Sequence, residues 1–433
     1  MAEVTHHTPV NIDERYTFTP ELRKRLFTAI GIGLLLLIAG ILLLIFGPHE
    51  AHGGEGAAAG GHGFHWSKRL WANLWLNNVY FTGIAVIGVF FVAFQYVAYA
   101  GWSSSIKRIP EAFGAFLPIA GVMMIILFVA SNLVGDQHMF HWVNHNVYDP
   151  NSPEYDEILV GKHGFLNVPF FLIRMVIYFG AWYALWRLLR KESLLEDQNG
   201  GLIHYDKSIT LSAIFIIIFA VTSVMSAWDW VMSIDAHWFS TMFGWYMFAS
   251  WFVAGLSTIT LTVIFLKEAG YLSVVNQNHL HDLGKFMFAF SIFWTYVWFA
   301  QFLLIYYANI PEETIYFVER LHGYDGKYTI VFFINIFINF LFPFLVLMTR
   351  DAKRQNVFLK VVASGLLIGH WLDFYLMIMP GSVQENGGFG LLEFGTVLVY
   401  ASVFILVVAT TLSLGPLIAK NHPMLEESIH HDI

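Results

Sequence analysis

The sequence has no cysteine among its 433 residues. A c-type haem is attached through a Cys-x-x-Cys-His motif, and iron–sulfur clusters are held mainly by cysteine thiolates. Disulfide bonds and zinc sites built from thiolates are excluded for the same reason. Any such redox centre that works together with this chain must therefore be bound by another protein.

The sequence is also poor in charge, because Asp, Glu, Lys and Arg make up only 12% of it. Soluble domains carry about 25% charged residues. Aromatic residues reach 17%, and the mean hydropathy is +0.59. Frequent aromatic residues suit a membrane protein, since Trp and Tyr collect at the two bilayer interfaces. This composition argues against a soluble enzyme, a disordered chain or a nucleic-acid-binding protein, and it indicates a polytopic membrane protein.

Ten stretches of the sequence are apolar enough to cross a bilayer, which takes about 20 residues each. They cover residues 26–47, 73–101, 111–134, 165–186, 209–232, 240–266, 286–310, 328–349, 357–379 and 390–419. The sequence therefore predicts an all-α polytopic membrane protein with about ten transmembrane helices. An even number of spans places both termini on the same side of the membrane.

The loops differ in their positive charge, which orients membrane proteins because cytoplasmic loops are enriched in Lys and Arg. Of the 23 Lys and Arg residues, 17 fall on the side of the termini and five on the other side. The remaining one, Arg174, lies inside the fourth span. This bias predicts cytoplasmic termini, with segments 1–25 and 420–433 in the cytoplasm.

A weak internal repeat relates the two halves of the chain. Trp228-Asp229-Trp230 closes span five, and the similar run from Trp371 to Asp373 lies near the end of span nine. Span four reads Phe-Phe-Leu-Ile-Arg up to Arg174, where span eight reads Phe-Phe-Ile-Asn up to Asn335. Because four spans separate the copies, they share one orientation and form a parallel repeat.

The repeat predicts two four-helix bundles, flanked by the first and last spans. The first bundle covers residues 73–232 and the second covers residues 240–379. The flanking spans are residues 26–47 and 390–419.

Five ionisable residues lie well within the predicted spans: Arg174, Asp229, His370, Asp373 and Glu393. A charge near the bilayer centre costs at least about 2.5–3.5 kcal/mol on insertion scales, so such residues usually pair or face a wet interior. One interpretation is a proton path through the four titratable groups, with Arg174 holding a carboxylate or a polar ligand head. The alternative is structural, with Arg174 forming an ion pair with Asp229 or Asp373.

Histidines fall into two groups of different meaning. Only His370 lies well inside a span, which argues against a b-type haem held by two histidines of this chain. His138, His141 and His145 follow span three and would share one face of a continued helix. They favour interfacial histidines over a metal site, and a proton acceptor for a reduced quinone at the outer surface is a third interpretation. The histidines of the first outer loop fit a flexible Gly/His-rich loop better than a metal site.

Two stretches resemble a known family. The run from Gln301 to Glu313, which contains Tyr306, resembles a signature of the polysulfide-reductase membrane-subunit (NrfD-like) family. The stretch from Ser226 to Thr241 resembles a smaller group of proteins within this family. It is similar to the smaller of the two NrfD-like subunits of alternative complex III, the ActF type. The likeness covers nearly the whole chain.

The resemblance implies an integral membrane subunit of a bacterial quinol:cytochrome c oxidoreductase, or of one with another periplasmic acceptor. The implied partners are a larger paralogous NrfD-like subunit, an iron–sulfur protein, and multihaem and monohaem c-type cytochromes. Haems and iron–sulfur clusters would belong to these partners, so the chain would not be a complete enzyme alone. The implied location is the bacterial inner (cytoplasmic) membrane, where the chain would also anchor the extrinsic redox subunits.

Within such a complex, the chain would provide a proton path, a quinone-facing surface, or both. Quinone or quinol is the one cofactor that the chain itself would contact, and His141, Arg174 and Tyr306 are the candidates to face it. Two other classes remain open from the sequence: a proton-coupled secondary transporter, and a purely structural membrane scaffold.

Overall fold

A computed structural model of the chain describes residues 12–46, 66–132 and 139–432. It confirms the predicted all-α polytopic membrane protein, because ten of its helices are long and apolar enough to cross a bilayer. We number these membrane helices in chain order: α1 Pro20–Phe46, α2 Trp66–Val97, α3 Arg108–Asn132, α4 Val168–Asn199, α5 Ile203–Trp230, α6 Phe243–Glu268, α7 Gln277–Ala308, α8 Thr329–Val346, α9 Asn356–Asn386 and α10 Leu391–Ser413.

Several helices extend beyond the predicted apolar stretches. Helix α4 continues 13 residues past position 186, and α7 begins nine residues before position 286. These added turns are polar, so a search for apolar runs stops short of them. The start of α7 is fixed by Asn276, whose side chain accepts hydrogen bonds from the backbone N–H groups of Asn278 and His279. Such a cap satisfies donors that a helix end leaves free.

The helices α2 to α5 and α6 to α9 pack as two rings. In each ring every helix contacts the next one, and the last contacts the first. Helices α2 and α6 also pack against each other and are the most buried of the ten. Helix α1 contacts mainly α10, where Gly395 brings the two backbones close: a Cβ there would lie 2.7 Å from the carbonyl oxygen of Gly33.

Both described ends of the chain meet at one end of the helices. The backbone N–H of Leu417 donates to the carbonyl of Glu14 at 2.9 Å. The short helix Leu425–Ile429 packs on the 3-10 turn Gly101–Ser105 that links α2 to α3. We call this end the terminal face, and the end that carries residues 139–167, 231–242 and 309–328 the opposite face.

Part of the positive charge of the terminal face is buried. Lys107 pairs with Glu196 at 2.8 Å, and Arg190 pairs with Glu111 at 3.2 Å. Arg108 pairs with Asp197. All three cations are among the loop charges of the sequence, and they lie inside the protein because each meets a carboxylate. A buried network of this kind fixes the loop between α2 and α3 against the end of α4.

The connections on the opposite face are folded. They contain the short helices Glu157–Lys162 and Pro311–Leu321. The prediction of one helix face shared by His141 and His145 is wrong, because each lies in a separate 3-10 turn and Asn144 between them is extended. His138 and the histidines of the first outer loop lie outside the described residues.

Candidate functional site

Two buried carboxylates occupy corresponding positions in the two rings. Asp229 belongs to α5 and faces Arg174 of α4. Asp373 belongs to α9 and faces Asn335 of α8. The pairs match the two stretches that the internal repeat had aligned. Each carboxylate lies in the half of the bundle nearer the opposite face, but their partners differ in charge.

Asp229 forms a closed ion pair. Arg174 donates from Nε to Oδ2 at 2.8 Å and from Nη2 to Oδ1 at 2.7 Å. The hydroxyl of Tyr178 donates to Oδ2 at 2.9 Å. Two parallel bonds from one guanidinium are the strongest arrangement that arginine makes with a carboxylate. The two residues therefore hold α4 and α5 together.

Each nitrogen of the Arg174 guanidinium donates a hydrogen bond to the protein itself. Its Nη1 donates to the carbonyl oxygen of Phe165 at 3.0 Å. The rings of Phe165 and Phe170 lie 3.9 and 4.2 Å from its central carbon. Of the two interpretations made from sequence, this geometry is that of the structural ion pair, formed with Asp229.

Asp373 is fully buried and is surrounded by neutral donors. The hydroxyls of Tyr246 and Ser250 donate to Oδ1 and Oδ2, respectively. Asn335 donates to Oδ1 at 2.9 Å, and the indole N–H of Trp294 donates to Oδ2 at 2.9 Å. Among the described residues, no cation forms an ion pair with this carboxylate.

His370 lies one helical turn from Asp373 and shares its partner Ser250. The imidazole Nδ1 is 3.3 Å from the Ser250 hydroxyl oxygen. The other nitrogen, Nε2, is buried and makes no hydrogen bond to a residue that the structure describes. Because buried polar atoms are nearly always paired, an exception of this kind needs an explanation such as a water or a proton-handling role.

Two more buried atoms near this level are unpaired within the described part of the chain, the Oγ of Ser291 and the Oδ1 of Asn339. Asn339 donates to Asn335 at 2.7 Å and lies in a π-helical segment of α8, Phe337–Leu341. Single π-helical turns are frequent at functional sites. The second ring therefore carries an irregular helix and unpaired polar atoms beside its carboxylate.

A small cavity adjoins the Asp373 network on the side of the opposite face. Its volume is about 20 Å³, and Tyr246, Asn335, Gln301 and Arg320 contribute to its lining. A cavity of about 10–15 Å³ measured in this way is enough for one water molecule. Polar groups that touch Asp373 therefore also touch a space of the size of a water.

Arg320 closes this region toward the opposite face, and in the sequence it lies in the loop between the seventh and eighth predicted spans. It is only 2% exposed. Its guanidinium donates to the carbonyl oxygens of Leu376 and Tyr316 at 2.8 and 2.7 Å, and to Asp235 at 2.9 Å. It is buried because the short helix Pro311–Leu321 packs over the ends of the helices.

Glu393 has a structural environment. Its Oε1 accepts from Arg69 at 2.8 Å and from the side chain of Asn73 at 3.0 Å. Its Oε2 accepts from the backbone N–H of Gly390 at 2.8 Å, which caps the start of α10. Both oxygens are thus used at the junction of α2 and α10.

The three residues considered for a quinone-facing surface lie in different surroundings. His141 is on the opposite face with its ring 6.5 Å from that of His237, and burial followed by the charge of His237 lowers its pKa. Arg174 is enclosed by its ion pair. Tyr306, in the second ring, is 71% exposed and packs on Phe302. The described contacts do not join them into one site.

Tyr246, Ser250 and Trp294 were not found from sequence. Tyr246 and Ser250 are spaced four residues apart on α6, which is a weak signal of one polar helix face. Their role becomes visible only when α6, α7, α8 and α9 are brought together. Among the described residues, no group of three His, Asp or Glu side chains is placed to hold a metal ion.

Comparison with known proteins does not identify the chain. No family model matches it, and no curated protein matches it.

Proposed function

We propose that the chain is an integral membrane subunit of a bacterial quinol:electron-acceptor oxidoreductase and that it carries protons through Asp373. The observation that carries this proposal is the set of four neutral donors around a fully buried carboxylate. Ionisable residues inside a membrane protein are functional candidates by default. The resemblance to NrfD-like subunits of alternative complex III is the reason for proposing that the chain belongs to a redox complex.

The chemistry of the donors separates Asp373 from Asp229. Arginine carries a fixed positive charge and only donates hydrogen bonds, and it donates to both oxygens of Asp229, so this geometry favours the ionised carboxylate. A hydroxyl both donates and accepts. When Asp373 binds a proton, Ser250 can accept from the new carboxyl O–H and turn its own proton toward His370. The Asp373 network therefore accommodates both forms of the acid.

Quinol oxidation gives a use for such a group, because each quinol releases two electrons and two protons. A chain without cysteine leaves the electrons to haem and iron–sulfur partners, and it contributes polar groups that take up protons. In this proposal the larger paralogous subunit, the iron–sulfur protein and the c-type cytochromes assemble on it in the inner membrane. The excess of Lys and Arg at the terminal face supports cytoplasmic termini.

One observation favours a second candidate, a proton-coupled secondary transporter. The π-helical segment of α8 interrupts a membrane helix beside the Asp373 network. Transporters often build their sites at discontinuous helices. Uptake of a solute by vesicles that contain the chain alone would favour this candidate.

The first test is to purify the chain from its native membrane in mild detergent, and to record its companions by mass spectrometry and haem absorption. We expect c-type haem and an iron–sulfur protein. The second test compares quinol-driven proton release by the complex carrying Asp373→Asn with release by Asp325→Asn, a matched change at an exposed acid. We expect loss only for the first variant. A colourless chain that purifies alone, or full proton release by Asp373→Asn, would contradict the proposal.

A further inference from the structure

The side of Asp373 that faces the opposite face is polar and leads to the surface. Tyr246 and Asn335 touch both the carboxylate and the adjoining cavity. Gln301 lines the same cavity, and its Oε1 accepts from the hydroxyl of Ser240 at 2.9 Å. Ser240 is partly exposed on the opposite face. One water in the cavity would complete a hydrogen-bonded connection from Asp373 to this surface.

The side of Asp373 that faces the terminal face is apolar beyond His370. Leu366 lies one turn below His370 on α9, and Val362 and Leu359 follow on the next two turns. Met287 and Leu283 stand at the same depth on α7, and all five side chains are fully buried. The Gly284 backbone approaches Leu359, which places α7 against α9 here.

A hydroxyl of α6 that contacts this apolar layer has only a weak hydrogen-bond partner there. Ser257 is fully buried, and its hydroxyl donates to the thioether sulfur of Met287 at 3.7 Å. A thioether is a weak acceptor that a hydroxyl takes only where nothing better is in reach. Protons need polar groups or water to move, so the layer interrupts movement toward the terminal face.

We infer that Asp373 exchanges its proton with the opposite face alone, through a water bound between Tyr246, Asn335 and Gln301. This inference rests on the proposed function, and it adds a direction and two residues, Gln301 and Ser240. Gln301 acts as a positioning residue for the water. The five aliphatic side chains form the seal on the other side.

The proton transfer balances at each atom. The water takes up a proton that enters from the opposite face and passes one proton to the hydroxyl oxygen of Tyr246, while the original hydroxyl proton of Tyr246 moves to Oδ1 of Asp373, so the water is neutral again at the end. Release is the reverse of this step. Tyr246 is unchanged at the end, and the net result is one proton gained or lost by Asp373.

The absence of cysteine makes the test direct, because a single introduced cysteine is the only thiol of the chain. The probe is Ag⁺, a small cation that blocks thiols reached by water. Sealed vesicles of both orientations, which contain the native complex, receive Ag⁺ on one side. The chain is then unfolded and treated with an alkylating reagent. Mass spectrometry shows whether the introduced thiol is alkylated, and a thiol that Ag⁺ has blocked is not. The variants are Ser240→Cys, Gln301→Cys and Ser257→Cys, and Ser→Cys changes are small enough to keep the packing.

We expect Ag⁺ on the opposite face to block Ser240→Cys and Gln301→Cys, and Ag⁺ on the terminal face to block neither. Ser257→Cys should stay alkylated under both conditions. Blocking of Ser257→Cys from the terminal face, or of Gln301→Cys only from that face, would overturn the inference. A Gln301→Cys thiol that no side reaches would overturn it as well.

Infrared difference spectra separate this inference from the proposed function. A carboxyl band that Asp373→Asn removes, and that appears or vanishes during quinol turnover, reports proton binding by Asp373 whatever the route. If the carboxyl band is present but the thiols are not blocked as expected, Asp373 binds a proton and only the inferred direction of proton exchange is wrong. If the band is missing while the silver pattern holds, the water access exists but the proposed function is wrong.

Discussion

The two rings of helices treat the same carboxylate position in opposite ways. In the first ring, Asp229 meets a fixed positive charge, Arg174, at 2.7 and 2.8 Å. In the second ring, Asp373 meets only neutral donors, and Asn335 stands where the first ring has arginine. The first arrangement stabilises one charge state and joins two helices. The second has no fixed charge beside the carboxylate, so the two corresponding positions differ as the proposed function requires, one as a structural ion pair and one as an acid that can bind and release a proton.

The helices that carry these partners differ in the same sense. Helix α4 runs without interruption from Val168 to Asn199. Helix α8 contains the π-helical segment Phe337–Leu341, which places Asn339 beside Asn335. A regular helix suits a rigid ion pair. The irregular turn adds a second amide to the network, and this amide has an oxygen that makes no hydrogen bond to a described residue.

The largest expected loss of stability follows from removing the ion pair of the first ring. Arg174→Leu leaves Asp229 as a buried charge without its partner, which should cost about 3–5 kcal/mol of stability. Thermal unfolding in detergent, followed by tryptophan fluorescence, measures the loss. The matched control is the double variant with Asp229→Leu, which should recover most of the loss because no charge stays unpaired. A single variant as stable as the wild type would show that the ion pair is not structural.

The corresponding change in the second ring should be much milder for stability. Asp373→Asn strands no cation, and the hydroxyls of Tyr246 and Ser250 can turn to suit the amide, but its NH2 group must face the N–H of Trp294 or Asn335, so we expect a loss of about 1–2 kcal/mol. The same unfolding measurement compares it with Arg174→Leu. Unfolding of the Asp373→Asn variant as severe as that of Arg174→Leu would remove the distinction between the two carboxylates.

The smallest expected effects come from a matched pair of tyrosines. Tyr178→Phe and Tyr246→Phe each remove one hydroxyl donor to a carboxylate and should cost about 1 kcal/mol each. Only Tyr246→Phe should also slow quinol-driven proton release, since Tyr246 links Asp373 to the cavity. Stopped-flow recording with a pH-indicating dye compares the two variants. Equal rates in both would place the proton route elsewhere.

The sequence was informative where long-range packing was not needed. Ten apolar runs gave the ten membrane helices, and the three-residue spacing of His370 and Asp373 predicts that both lie on one side of α9, where both contact Ser250. It did not show which loop charges are buried. Arg320, Lys107 and Arg108 were counted among the loop charges, and each is buried because it meets a carboxylate or backbone carbonyls.

What the sequence by itself determined is the membrane character, the number of helices and the ionisable residues inside them. Those follow from local composition, because a bilayer admits only apolar helices of sufficient length. Only the tertiary structure decided that Arg174 pairs with Asp229, and that Asp373 is left to Tyr246, Ser250, Trp294 and Asn335. The partners of Asp373 come from three other helices, up to 127 residues away in the chain. Hydrogen bonds form between atoms about 3 Å apart, and no local pattern states which helices bring such atoms together.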